Sequence, residues 1–127
     1  APVEVVNGST ILRVKVNNRA TGSFIFDTGA VVVSMSEEFA RKAGINPSEA
    51  PEIEVVLADG GEIAGRAVVL DAVELGDAVA EDVRAVVLPR SVRPGVDGLL
   101  GMSFLKHFVV RLDGSSGELI LRRFEPK

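Results

Sequence analysis

Apolar and polar positions along this chain fall into short runs closed by turn residues. Residues 3–6 and 11–16 are apolar or alternating and are bounded by Asn7-Gly8 and Asn17-Asn18, which predicts two strands joined by a turn. Residues 23–27, centred on Phe24-Ile25-Phe26, predict a third strand, apolar on both faces and ending on a charge. Asp27-Thr28-Gly29 interrupts that run, and residues 31–35 resume a β-branched one. Further along, residues 53–57 and 63–70 flank Asp59-Gly60-Gly61 and predict a hairpin with a glycine-rich tip. Residues 73–75 and 83–88 predict another hairpin around Gly76-Asp77, and residues 109–112 and 118–121 a last one around Asp113-Gly114-Ser115-Ser116-Gly117.

Helical signals are few. Residues 36–43 carry the clearest: Ser34 or Ser36 as a cap, Glu37 and Glu38 in the electropositive first turn, Arg41 and Lys42 in the last, and Gly44 at the exit. Asn46 to Pro51 reads as a polar connection, and residues 103–108 have room for one or two helical turns. No repeat or low-complexity linker interrupts the pattern. The expectation is an all-β fold, mostly β with one clear short helix, forming a single domain over residues 1–127.

Composition sharpens this picture. Six Phe and no Trp or Tyr leave the core to Val, Ile, Leu and Ala, which favours strands. A formal net charge of −4 and the absence of a basic stripe argue against a nucleic-acid partner. With no Cys, disulfides, thiolate catalysis and most structural zinc sites are excluded. A lone His107 builds no His-rich metal centre, and no Gly-x-Ser-x-Gly turn accompanies it, so neither a metal nor a cofactor is expected. No apolar stretch approaches bilayer-spanning length; a membrane would be reached only through a segment outside this chain, whose start at Ala1-Pro2-Val3 suits a processed product or a trimmed chain alike.

The chemistry centres on Asp27-Thr28-Gly29. As a bare tripeptide it is cheap: a chain of this length contains it by chance roughly 3% of the time, and Asp before Gly commonly caps a turn. Its setting is less ordinary, because apolar runs lie on both sides and a carboxylate there needs a partner or hydrogen bonds. A second carboxylate in contact would meet that need and create a catalyst. Two like charges share one proton; the ionised member draws a proton from water, and the protonated member donates to the carbonyl under attack. Thr28 has a hydroxyl to bond across such a pair, and Gly29 leaves room for substrate backbone.

Asp27-Thr28-Gly29-Ala30 resembles the active-site signature of retropepsin-like aspartic proteases. Leu99-Leu100-Gly101 resembles their second element, two apolar residues and a glycine leading into a short helix, and Leu57-Ala58-Asp59-Gly60-Gly61-Glu62-Ile63 stands where that family has its flap. The stretch Leu99-Leu100-Gly101-Met102-Ser103-Phe104-Leu105 is similar to bacterial single-lobe members, and the likeness runs from about residue 11 to 121. The resemblance implies a barrel-like half of a pepsin, one lobe per chain, and a homodimer with Asp27 as each chain's catalytic residue, supported by Thr28 and Gly29. It implies a peptide or protein substrate held by Ala30, Val31, Ala58, Asp59, Gly60, Gly61, Leu99, Leu100 and Gly101, and an intersubunit sheet built from residues 3–6 and 118–121. A bacterial envelope or periplasmic origin goes with the bacterial likeness.

Two positions depart from the pattern. Val31 follows Asp-Thr-Gly-Ala where relatives often carry Ser, Thr or Asp, and Met102 follows Leu-Leu-Gly where retroviral members often carry Arg. The two are expected to pack together in place of that acid–base pair. Val31 also sustains the alternative of a non-catalytic peptide- or protein-binding module on the same fold, beside a structural β-domain in which Asp27 only caps a turn. The arginines in and near residues 89–95 read as solvated cations, with steering of acidic peptides as their functional alternative.

Overall fold

The computed structural model describes residues 3–6, 8–57, 59–113 and 117–123. Ten strands dominate them: β1 Glu4–Val6, β2 Ser9–Val16, β3 Ala20–Phe26, β4 Val33–Ser36, β5 Glu52–Val56, β6 Glu62–Leu75, β7 Ala78–Leu88, β8 Gly98–Leu100, β9 Phe108–Asp113 and β10 Glu118–Arg123. Two short helices, α1 Glu37–Lys42 and α2 Met102–Leu105, and a 3₁₀ turn at Pro47–Glu49 complete the set.

The large sheet runs β1-β2-β3-β8-β4-β7-β6-β5, and β2 also pairs with β6. That extra pairing, Lys15 with Glu74 and Val16 with Val73, closes β2, β3, β8, β4, β7 and β6 into a ring. Asn17 secures the closure: its amide donates to the Ala72 carbonyl at 2.8 Å, and its Oδ1 accepts from the Ala72 amide at 3.2 Å. Asn17 and Asn18 both turn with positive φ (53° and 55°), the left-handed pair that a tight hairpin between twisted strands requires. β1 and β5 extend from the ring as edge strands, while β9 and β10 form a separate antiparallel pair.

Strand alternation decides what fills the ring. On β2, Leu12, Val14 and Val16 point inward and are buried, while Arg13 and Lys15 are exposed. Phe24, Val33, Met35, Leu70, Val73, Leu100 and Phe104 complete the centre of the core. Phe39 of α1 meets Phe24 edge-on, with ring centroids 5.3 Å apart. The helix itself forms as its residues predict: the Ser36 hydroxyl accepts from the Phe39 amide at 3.1 Å, the acids lead and the cations trail.

Several expectations change in extent. The hairpins expected at residues 63–70 and 73–75 share one 14-residue strand, β6, because its pairing with β7 runs through from Arg66 to Leu75. The connection at Asn46 to Pro51 contains the 3₁₀ turn, capped by Asn46. Residues 31 and 32 stay outside β4, which begins only at Val33. Within the chain β1 pairs with β2 and β10 with β9, and the Val3 amide donates to the Gly117 carbonyl at 3.1 Å.

Candidate active site

β8 determines where Asp27 stands. This three-residue strand threads between β3, to which it is parallel, and β4, to which it is antiparallel, placing Leu99 beside both Ile25 and Ser34. At the end of β3 the Asp27 amide donates to the Leu100 carbonyl at 3.2 Å, and the turn closes with Ala30 donating to the Asp27 carbonyl at 3.2 Å. The carboxylate is fixed from within: Oδ1 accepts from the Gly29 amide at 2.9 Å. A Cβ at position 29 would stand 3.2 Å from that oxygen, so glycine lets the turn close on its own carboxylate.

A second connection ties this turn to α2. The Met102 amide donates to the Ala30 carbonyl at 2.8 Å. One residue earlier, Gly101 packs so tightly that a Cβ there would meet the Val32 and Ala30 carbonyl oxygens at 2.4 and 2.7 Å. Asp27-Thr28-Gly29 and Leu99-Leu100-Gly101 are thus held as one unit although more than seventy positions separate Asp27 from Leu99.

Two residues that the motifs did not single out brace this unit. The Ser103 hydroxyl accepts from the Val33 amide at 2.9 Å and donates to the Arg84 carbonyl at 2.6 Å, joining α2 to β4 and β7. Asp97 accepts from the Ser23 amide through Oδ2 at 2.9 Å, donates its own amide to the Ser23 carbonyl at 2.8 Å, and accepts from the Ser36 amide at 2.9 Å. Nothing in the local sequence marks either residue, since their partners lie on distant strands. The only signal was the polar character of single residues beside an apolar run.

The motif residues differ in exposure. Asp27 is half-buried, and Thr28 and Gly29 are exposed. The turn therefore opens to solvent at the end of the sheet; it is not enclosed between buried strands as the flanking apolar runs suggested. Val31 is 79% exposed, so the packing expected between Val31 and Met102 does not cover it. The backbone bond from Met102 to Ala30 joins those loops instead. Leu100 is fully buried in the core, and a Cβ at Gly101 would run into the Val32 and Ala30 carbonyls. Leu99, half-buried, is the member of its triplet with surface on the Asp27 side.

The glycine-tipped hairpin is built from β5 and the start of β6, paired from Glu52–Arg66 to Val56–Glu62. At its tip the Gly61 amide donates to Asp59 Oδ1 at 2.8 Å and the Leu57 amide to the Gly61 carbonyl at 2.7 Å, with Gly60 at φ 87°. Ala58 lies outside the described residues. Val56 is 70% exposed, leaving the hairpin with unburied apolar surface. A cleft of about 300 Å³ sits near the hairpin's base, between Glu37, Arg41, Pro47, Glu52, Arg66 and Pro89, and contains none of the motif residues. Among the described residues no group of three or more His, Cys, Asp or Glu is arranged to hold a metal ion.

The family model of aspartyl proteases matches residues 12–104, which span both motifs and the hairpin between them. This chain belongs to the aspartyl protease family. Its structure is similar to that of a retropepsin-like aspartic protease from Rickettsia conorii, with a TM-score of 0.71 and 26% sequence identity over 94% of this chain and 86% of that one. No curated protein sequence matches the chain significantly. The retropepsin-like fold and protease family expected from the motifs are therefore present, with Asp27-Thr28-Gly29 and Leu99-Leu100-Gly101 inside the matched span.

Proposed function

We propose that the chain is a homodimeric aspartic endopeptidase in which Asp27 and Asp27 of the partner subunit form the catalytic pair. The observation that carries this reading is the state of Asp27 in one chain: its carboxylate is held by the Gly29 amide at a solvent-open turn, braced from behind by Leu100 and Met102. On this reading the held carboxylate supplies one half of a two-carboxylate site. Brought together about a two-fold axis, the pair holds one proton, activates a water and protonates the scissile carbonyl oxygen. Thr28, exposed beside Asp27, is available to bond across the pair.

Exposed apolar surface near the turn supports pairing. Val5 is 67% and Val31 79% exposed, and Val6 pairs with Ser9, where β2 starts. A second copy covering these side chains would remove them from water and satisfy edge strands. An extended peptide would then lie beneath the two hairpins formed by β5 and β6 and bond to them as an added strand. Ala30, Val31, Asp59, Gly60, Gly61 and Leu99 are the residues assigned to its contacts.

Cleavage of a mixed peptide library over an acid-to-neutral pH series tests the reading, with Asp27→Asn alongside and oligomeric state measured by sedimentation. Wild type is expected to cut as a dimer and Asp27→Asn to fold, dimerise and lose activity by several orders of magnitude. Wild-type rates in the Asn variant, or a chain that stays monomeric while cutting, would end the proposal. The exposed Val31, apolar where relatives carry polar residues, favours one other reading, a peptide-binding module that does not turn its ligand over. Peptide binding without cleavage at every pH would support it.

A further inference from the structure

Arg93 lies in the loop between β7 and β8 and donates from Nη1 to the Ser9 hydroxyl at 2.8 Å. Ser9 opens β2, whose register sets Ile11 opposite Ile25. Ser9 is two residues before Ile11, and Asp27 is two residues after Ile25. Since alternate residues of a strand share a face, Ser9, Ile11, Ile25 and Asp27 belong to one side of the layer. Leu99, opposite Ile25 on β8, belongs to the same side. The other side is the core, where Leu12, Phe24 and Leu100 are buried. Arg93 is thus anchored at the start of β2, on the face to which Asp27 belongs, two residues past the last β2–β3 pair, Ile11 with Ile25.

The guanidinium there is incompletely answered. Arg93 is half-buried, yet among the described residues it makes no ion pair and spends one donor on a neutral hydroxyl. Most of its N–H donors remain free to grip a planar anion, in a place where lost hydration makes a counter-charge more valuable. Arg13 gives the contrast. It is bound to Ser23 on the same face, but it is exposed and lies about 13 Å further along β2 by strand rise. Next along the same face lie the half-buried apolar side chains of Ile11, Ile25 and Leu99.

We propose that Arg93 is a specificity-determining residue that selects an Asp or Glu side chain of the peptide, close to an apolar side chain seated on Ile11, Ile25 and Leu99. The inference rests on the peptidase reading above and adds the substrate class to it. Ser9 acts as a positioning residue: its hydroxyl holds the guanidinium toward the face and leaves the remaining donors for the incoming carboxylate.

The test uses the full chain and acetylated, amidated peptides, so that side chains supply the only carboxylates. Peptides differing at one position (Asp, Glu, Asn, Gln or Lys) are compared by kcat/KM in wild type, Arg93→Ala, Arg93→Glu and Arg13→Ala. Wild type and Arg13→Ala are expected to prefer the acidic peptides about tenfold or more over their amides at one subsite, as charge-assisted bidentate contacts do. Arg93→Ala should bring that ratio close to one, and Arg93→Glu should favour Lys. Binding of the same peptides to Asp27→Asn, followed by fluorescence anisotropy, should give the wild-type ranking without turnover. Cleavage with no acidic preference, or a preference that survives Arg93→Ala, overturns the inference and leaves the peptidase reading standing. So does a weakened dimer in Arg93→Ala with the ratio unchanged, which would assign Arg93 to the partner subunit. Acid-selective binding to Asp27→Asn, lost on adding Arg93→Ala, would sustain the inference even if wild type cut nothing and the peptidase reading fell.

Discussion

Asp97 and Ser23 hold each other by two hydrogen bonds: the Asp97 amide donates to the Ser23 carbonyl at 2.8 Å, and the Ser23 amide donates to Asp97 Oδ2 at 2.9 Å. This clasp sits one residue before β8, and the Asp97 carbonyl also accepts from the Ser36 amide on the far side. A strand of three residues has few bonds of its own with which to choose a register. The Asp97 clasp adds bonds at the entrance, three residues before the Leu100 carbonyl that meets the Asp27 amide.

Replacing Asp97 by Ala removes a carboxylate from a backbone amide that it partly shields. The expected loss is about 1.5–3 kcal/mol in urea unfolding, the range for hydrogen bonds to charged groups. Asn, which keeps an acceptor oxygen, should lose about half as much. If the clasp sets the register of β8, peptide cleavage by Asp97→Ala should fall by more than the loss of folded protein accounts for. A drop in proportion to the folded fraction would reduce Asp97 to an ordinary structural residue.

Ser103 makes a similar argument from inside. Its hydroxyl serves the Val33 amide and the Arg84 carbonyl, and the residue is 8% exposed. Ser103→Ala keeps the volume nearly unchanged but strands a buried donor and a buried acceptor, at a cost of about 1–3 kcal/mol each at most. Unfolding of Ser103→Ala and Ser103→Cys, measured by circular dichroism in urea, checks this. Near-wild-type stability in the Ala variant would mean that water takes over both bonds.

Much of this arrangement was legible in the chain itself. Glu37 to Lys42 formed the helix that Ser36, the leading acids and Gly44 announced, because caps and helix-end charges act within a few residues. The pairing of β1 with β2 and the hairpins around Asp59-Gly60-Gly61 and Gly76-Asp77 were equally readable, since each turn is chosen by its own residues, and Asn17-Asn18 marked the end of β2. Legibility ended where partners lie far apart in sequence. Ser23 and Asp97 meet only because β8 is inserted between β3 and β4, and no local pattern encodes an insertion. Apolar character was also a poor guide to depth: Val31 and Val33 are alike in sequence, yet one is 79% exposed and the other fully buried. An apolar run that serves a second copy or a ligand looks the same as one that serves the core.

Gly98 is constrained by space. A Cβ there would stand 1.9 Å from the Ser34 carbonyl oxygen and 2.8 Å from the Phe24 ring, and the carbonyl cannot yield without breaking the β4–β8 pairing. Gly98→Ala is therefore expected to destabilise by several kcal/mol, at the upper end of single substitutions. Gly60→Ala, at an open hairpin tip with φ 87°, should cost only about 1 kcal/mol through its backbone conformation. Thermal melts of the two variants side by side separate these effects, and equal melting temperatures would contradict the close packing at β8.

His107 gives the chain a pH response unrelated to Asp27. Partial burial, with Lys106 and Arg123 nearby, lowers its pKa from the ordinary value of 6.5. The ring also meets Phe108 edge-on, with Arg123 stacked over the opposite partner of that contact at 5.2 Å from the Phe108 centroid. As pH falls below about 7, the unfolded chain takes up the imidazole proton before the folded chain does. The unfolded state then binds more protons, so this contribution to stability declines as pH drops through 6.5 and stops declining below the lowered folded value. His107→Gln should remove that part of the slope. Urea midpoints at pH 7.5, 6.5 and 5.5 are expected to fall less steeply in the variant, and Lys106→Gln should give an intermediate slope by removing one of the two repelling cations. Parallel midpoints for wild type and His107→Gln across this range would show that the imidazole titrates alike in both states.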